Sequence, residues 1–324
     1  MKERLVQATL EEMRTRSLKF TMDDLARKLH ASKSSIYKVV DSKEDLIRLV
    51  MHWAMEKFDR KSVELLHGEG PVNSRLMSYC GLFFHTFWYL PDTVNEDLEA
   101  RYEDIWKEWD RYREARFDDM MALLKEGGLL AFPTETFYAV GGSALDAGAV
   151  ERVYQAKLRQ ARKPLPVAAG DRGLLGRYVD FTHVPDVLLR RWPGPLTLVL
   201  PACPGVFPAK LLDREGRVAV RVTPHPVAAA LSIAIDAPLT VSSANIQAHN
   251  PARTAADIEE ALALACGGIL DEGPEPEGGL PSTILEPLPD GSCRVIREGA
   301  IPLAALASDG VDLRHTEESG LLRY

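Results

Sequence analysis

The sequence predicts a multi-domain chain, an all-helical front part followed by an α/β domain built on a twisted sheet. Up to about Glu126 apolar residues recur every three or four positions, as in "LIRLVMHWAMEKF" and "YEDIWKEWDRYREARFDDMMALL", with few glycines. Beyond Gly127 the text changes to short β-rich runs, "GLLAFPT", "PLTLVLPA", "VAVRV", "PLTVSSAN" and "CRVIREG", separated by helical stretches and most of the prolines and glycines. No Ser/Gly linker lies between the two parts; a helix runs to "KEGG", whose glycines suit a C-cap. The expected divisions are helical regions at 1–60 and 61–126, the α/β domain at 127–306 and a tail at 307–324.

With 324 residues, 46% hydrophobic and 27% charged, the chain has room for two domains and a sizeable core. Its four cysteines, Cys80, Cys203, Cys266 and Cys293, form no C-x-x-C pair. Neither a zinc knuckle nor a disulfide framework is indicated, and a reducing cytoplasm is the expected compartment. No apolar run reaches the roughly 18 residues of a membrane span, and "MKERLVQATLEEM" reads as a charged amphipathic helix rather than a signal peptide. The net charge of −8 argues against a chain that coats nucleic acid everywhere. The balance is uneven, however: residues 1–48 hold 11 Lys+Arg against 8 Asp+Glu, a net +3, so the remainder carries −11. Nucleic-acid contact is therefore sought at the front.

There, in "LKFTMDDLARKLHASKSSIYKVVDSKEDLI", Thr21 suits an N-cap with acids following it. A tight turn at "HAS" leads to a second short helix, "KSSIYKVV", that offers small hydroxyls, Lys33, Lys38 and Tyr37. Such a helix end approaches phosphates closely, although any helical bundle contains this geometry. The run from Thr21 to Leu46, with "SIYKVVDSKEDL", resembles the TetR family of DNA-binding regulators over about the first 60 residues. That resemblance implies DNA contacts by Thr21, Ser32, Lys33, Ser34, Tyr37, Lys38 and Lys43. His30 stands where the family usually has a turn glycine, and so is asked for a positive φ. The aromatic cluster "GLFFHTFWYL" reads as core or as the seam of a homodimer rather than a ligand box.

In the α/β part, "LLAFPTETFYAVGG" predicts a buried strand, a Pro-Thr break and a descent into a helix starting near Ala147. Threonine hydroxyls and backbone N–H groups at such a crossing suit an anion. The stretch is neither a P-loop nor G-x-G-x-x-G. "VYQAKLRQARKPLPV" gathers Lys157, Arg159, Arg162 and Lys163; such runs are ordinarily solvated helix faces, but cations of this kind also suit a triphosphate. Arg221, inside "VAVRVTPHP", is a charge within a β run, so a partner anion is expected for it. "PLTVSSANIQ", "LPSTILEP" and "RVIREGAI" end strands in Ser242, Ser243, Asn245, Ser282, Thr283 and Arg297. "DEGPEPEGG" reads as a solvated loop.

Taken in order, "GGLLAFPTETFYAVGGSALDAGAVERVYQAKLRQARKPL", "WPGPLTLVLPA", "VAVRVTPHP", "SSAN", "PSTI" and "IREGAI" resemble the Sua5/YrdC family, threonylcarbamoyl-AMP synthases of tRNA t6A modification, over about residues 122–303. The resemblance implies a YrdC-like α/β fold that joins L-threonine, bicarbonate and ATP into threonylcarbamoyl-AMP and pyrophosphate. It places Thr136, Arg221, Ser243 and Ser282 on threonine. Lys157 and Arg159 match a K-x-R element, Asn245 (in S-x-N) and Arg297 match nucleotide contacts, and Lys163 and Thr254 fall within reach of the nucleotide. It also implies that a partner transferase passes the product to tRNA. A Mg²⁺ ion escorting the triphosphate is expected on general grounds, with no protein metal ligand assigned. Cys203, His183 and His225 match no role and read as structural.

Three departures stand out. Ala139 replaces a usual glycine, which narrows the pocket or alters the backbone angles; "SSANIQAHNP" lacks the common Ser-Gly; Pro281 stands where many members have glutamate. A rival of another class is a TetR-like regulator whose α/β domain senses nucleotide or RNA without turnover.

Overall fold

The computed structural model describes residues 1–87, 91–157, 164–246, 250–271 and 273–315. The chain packs as two units, Met1–Gly70 with Ser78–Met120, and Pro71–Met77 with Met121 onward. Helices fill the front: α1 (Lys2–Arg16), α2 (Met22–Leu29), α3 (Lys33–Tyr37), α4 (Lys43–His67), α5 (Val72–Phe87), α6 (Asp92–Arg101) and α7 (Glu103–Lys125).

Their starts are written in the sequence as hydroxyl caps. Thr21 and Asp24 form a reciprocal capping box on α2, with Asp24 N–H donating to Thr21 Oγ1 at 3.2 Å and Thr21 N–H to Asp24 Oδ2 at 2.8 Å. Ser32 accepts from Ser35 N–H at 3.1 Å on α3, and Ser42 from Asp45 N–H at 3.0 Å on α4. Between α2 and α3, His30 adopts φ 50°, ψ 45°, the left-handed turn asked of it. Leu5, Leu25, Ile36, Leu46, Phe20 and Phe58 form the buried interior of this unit. Phe58 meets Tyr79, Phe83 and Tyr112 edge-on at 5.5, 6.4 and 6.4 Å, so Phe83 of the aromatic cluster is core. Trp88 and Tyr89 of that cluster lie outside the described residues.

The second unit is α/β. In order come β1 (Leu130–Pro133), β2 (Tyr138–Gly141), α8 (Ala147–Ala156), β3 (Val167–Ala169), α9 (Arg172–Leu175), α10 (Asp186–Leu189), β4 (Leu196–Pro201), β5 (Arg217–Val222), α11 (Pro226–Ala234), β6 (Leu239–Thr240), β7 (Ser242–Ser243), α12 (Glu260–Ala265), β8 (Thr283–Pro287), β9 (Cys293–Arg297), α13 (Leu303–Ser308) and β10 (Leu313–His315). A seven-stranded mixed sheet runs β10-β9-β8-β4-β5-β3-β6, and a three-stranded antiparallel sheet runs β1-β2-β7. After α7, Gly127 takes φ 104° while its N–H and that of Gly128 donate back to Leu124 O and Leu123 O, the C-cap foreseen in "KEGG".

The two-residue period of β4 and β5 sorts their side chains. Leu196, Leu198, Leu200, Val218, Val220 and Val222 enter the main core, whereas Val199 and Ala219 join a smaller cluster with Ile284. Arg221 follows Ala219 by two, so the strand delivers it to the face opposite the main core. Among the described residues no helix is long and apolar enough to cross a membrane.

Candidate functional site

A cavity of about 270 Å³ opens on that opposite face, near the low end of ligand pockets, which are on the order of 300–1,000 Å³. Thr134, Thr136, Tyr138, Ala139, Lys157, Arg221, Ser242, Ser243, Asn245, Pro281, Ser282, Ile284 and Arg297 are among its lining residues. They come from the β1–β2 turn and the start of β2, the end of α8, the end of β5, β7 and the residues after it, the start of β8 with the residues before it, and the end of β9. Strand ends and turns supply nearly all of the polar groups, because their main chain is not consumed by the sheet.

Lys157 caps the C-terminus of α8 and is 5% exposed. Its ammonium donates to Ser243 O, and to Asn245 Oδ1 at 3.3 Å. The first residue of K-x-R and the S-x-N stretch therefore meet, although 88 positions separate Lys157 from Asn245. Ile246 N–H donates to Glu259 Oε1 at 3.0 Å, fixing the chain just past the asparagine.

Arg221 is 6% exposed, and its Nε lies 3.0 Å from Glu135 Oε1. The partner anion expected for Arg221 is thus supplied within the chain by the acid between the two threonines. Arg297 donates through Nε and Nη2 to Ser282 O at 3.2 and 2.8 Å. Burial and then the neighbouring Arg221 charge hold the Arg297 guanidinium below its ordinary pKa. A buried guanidinium and a half-buried one that repel each other across one cavity are an electrostatic provision for an anion. Ser282 Oγ lies 2.8 Å from Thr197 Oγ1, and Thr134 Oγ1 3.3 Å from Thr136 Oγ1, so the hydroxyls come as oriented pairs. Tyr138 donates its hydroxyl to Asp271, and burial followed by that carboxylate pushes its pKa up.

Of the residues foreseen, Thr136, Lys157, Arg221, Ser243, Asn245, Ser282 and Arg297 all line this one cavity. Arg159 and Lys163 lie outside the described residues. Thr254 is not in the lining: its N–H donates to Asp257 Oδ2 at 2.9 Å, and it caps a short helical turn at Ala255–Asp257. Ala139 pairs with Ser243 inside β2, so an extended backbone suits it and only the narrowing of the pocket remains. At the N-terminus of α8, where N–H groups were expected to suit an anion, Asp146 Oδ1 already accepts one of them, from Ala149 N–H at 2.6 Å. The stretch 273–279, expected to be a solvated loop, is exposed at Pro274, Glu275 and Glu277 but buried at Pro276, and Gly278 N–H donates to Thr136 O at 2.9 Å and Glu277 N–H to Glu135 O at 3.3 Å. It braces the "TET" turn. Thr134, Thr197 and Glu135 were not singled out from the sequence; only the acid flanked by threonines in "PTETF" signalled one of them.

On the helical unit, Thr21, Ser32, Lys33, Ser34, Tyr37 and Lys38 are exposed. Lys33 pairs with Asp23 at 2.6 Å. Lys43 turns inward, donating to Leu18 O and Phe20 O at 2.5 and 2.6 Å and lying 4.5 Å from the Phe20 ring centre. Burial holds its pKa below the ordinary lysine range.

Residues 122–299 match the family model Sua5_yciO_yrdC, described as "Telomere recombination". A threonylcarbamoyl-AMP synthase of Alkalilimnicola ehrlichii is 36% identical over 161 residues, which cover 50% of this chain and 84% of that protein. The threonylcarbamoyl-AMP synthase of Pyrococcus abyssi is 34% identical over 196 residues, 60% of this chain and 57% of that one. The crystal structure of P. abyssi Sua5 complexed with L-threonine superposes with a TM-score of 0.55 at 32% identity, covering 62% of this chain and 59% of that chain. The family match lies within the α/β part of the chain.

Proposed function

This chain belongs to the Sua5/YciO/YrdC family, and on that premise we propose that its α/β unit is a threonylcarbamoyl-AMP synthase. The amine of L-threonine takes up bicarbonate with loss of water, and a carbamate oxygen attacks the α-phosphorus of ATP, releasing pyrophosphate. Arg221 pairs with the threonine carboxylate, while Thr136, Ser243 and Ser282 offer hydroxyls to the rest of the amino acid. Lys157, Asn245 and Arg297 take the nucleotide side, with Arg159, Lys163 and Thr254 assigned there by resemblance. Such a site works by positioning and by neutralising charge, without a covalent enzyme intermediate.

The observation that carries this reading is the convergence of Lys157, Arg221, Ser243, Asn245, Ser282 and Arg297 on one cavity from well-separated segments. The described lining offers hydroxyls and a carboxamide but no carboxylate, and among the described residues no cluster of three or more acids, histidines or cysteines could hold a metal. That donor set would suit a Mg²⁺ ion that arrives on the phosphates and keeps its water; the Asn245 carboxamide and the Ser243 hydroxyl are oxygen donors that would serve it, and the ion would neutralise phosphate charge. The product then passes to a partner transferase acting on tRNA, in the cytoplasm. With ¹³C-bicarbonate, ATP and threonine, mass spectrometry should find threonylcarbamoyl-AMP carrying the label in its carbamoyl carbon; threonine and ATP recovered unchanged would sink the proposal.

The helical unit is proposed to contact DNA through Ser34, Tyr37 and Lys38. The left-handed His30 turn and the exposed α3 that follows it support this. Lys43, held by the carbonyls of Leu18 and Phe20, is better assigned to bracing the connection between α1 and α2. A gel shift on the adjoining promoter tests the contact, and no retention at low salt would contradict it.

A further inference from the structure

Behind the cavity wall lies a buried carboxylate with no part in the chemistry described above. Glu135 sits between two lining threonines but is not itself in the lining. Its side chain is 9% exposed and that of its partner Arg221 is 7% exposed. Both carboxylate oxygens are engaged: Oε1 faces Arg221 Nε at 3.0 Å, and Oε2 accepts from Thr223 Oγ1 at 2.7 Å. Thr223 Oγ1 in turn accepts from His225 N–H at 3.2 Å. The main chain of the acid is tied down by Glu277 N–H at 3.3 Å, beside the Gly278 bond to Thr136 O.

The pairing has an informative defect. Nε and Oε1 are close, yet neither atom has an aligned hydrogen bond, although both are buried. A pair that served stability alone would be expected to align, since a buried donor left without a directed bond is costly. Held this way, the guanidinium is neutralised and steered from its inner edge, and its terminal nitrogens can serve a second, planar anion.

We propose that Glu135, clamped by Thr223, is a positioning residue that sets the orientation of Arg221 and thereby the affinity for the α-carboxylate of the amino-acid substrate. The proposal rests on the synthase reading above, and Glu135 acts only through Arg221.

The test is pyrophosphate release with threonine and ATP varied separately, together with equilibrium dialysis of threonine, on wild type, Glu135→Ala, Glu135→Gln and Thr223→Val. Glu135→Ala should raise the threonine KM about tenfold or more, while the ATP KM stays within about twofold. Glu135→Gln, which keeps an acceptor of the same reach without the charge, should fall between wild type and Ala. Thr223→Val, which preserves side-chain shape and frees the acid, should move the threonine KM in the same direction by less, and it carries the test should the Ala variant fail to fold. An unchanged threonine KM in active variants overturns this inference alone, as does a rise in both KM values together with a lowered melting temperature. Wild type that neither binds threonine nor releases pyrophosphate overturns the synthase reading and the inference with it.

Discussion

Lys157 shows how one buried cation organises the site. An ammonium 5% exposed would be prohibitively expensive alone, and here the carbonyl of Ser243 and the carboxamide of Asn245 receive it. Both of these partners are neutral dipoles that solvate the positive charge. The cysteines illustrate burial acting in the opposite sense. Burial pushes the thiols of Cys80 and Cys266 up to about 12 and that of Cys293 to about 11, whereas Cys203 is half-exposed. A thiol reacts as its thiolate, so at pH 8 iodoacetamide should alkylate Cys203 in the folded protein and leave the other three until denaturant is added. Peptide mass spectrometry reads the outcome directly; early labelling of Cys266 would contradict the packing around it.

Gly141 fixes how β2 approaches its neighbours. A Cβ built there would lie 1.8 Å from Thr240 O, a main-chain atom that cannot swing aside. Gly141→Ala should therefore cost about 1–3 kcal/mol by overpacking, seen as a lower denaturation midpoint with the threonine KM raised through the displaced β2–β7 pairing. At the helical end, hydrogen bonds from the Thr21 hydroxyl and then its N–H hold the Asp24 carboxyl below the usual aspartate range. A depressed pKa contributes stability above the unfolded value and loses it as pH falls through the folded one. The gap in melting temperature between wild type and Thr21→Ala should accordingly be open at neutral pH and close in acid.

Elements of this kind were readable because their signals are local. The helix start at Ala147, the Thr21 cap, the left-handed His30 and the β runs at 130–133, 196–201 and 217–222 all follow from neighbouring residues. What could not be read was long-range pairing. Nothing near Arg221 announces that its anion is Glu135, 86 positions earlier, nor that β7 would pair with β2 and bring Ser243 under Lys157. The resemblance supplied the names of these site residues in advance, but not Thr197 or Glu135, whose roles lie one contact behind the wall. Thr254 does not reach the described lining, and its N–H is bonded within its own turn.

Every lining residue of the cavity falls between Thr134 and Arg297, inside the second unit and inside the family match. The front unit instead holds the locally basic segment, net +3 over residues 1–48 in a chain of net −8. This division predicts separable activities: Lys38→Ala should weaken DNA retention and leave pyrophosphate release unaltered, and loss of release in that variant would contradict it. The central claim is that the α/β unit turns over ATP in the presence of its amino acid. The most direct measurement is pyrophosphate release by the full-length protein with ATP, Mg²⁺, L-threonine and bicarbonate, each omitted in turn, alongside Lys157→Ala and Arg221→Ala. Release that requires all of the components and is abolished in both variants is the predicted result; release at background with everything present, or undiminished in the two variants, would contradict it.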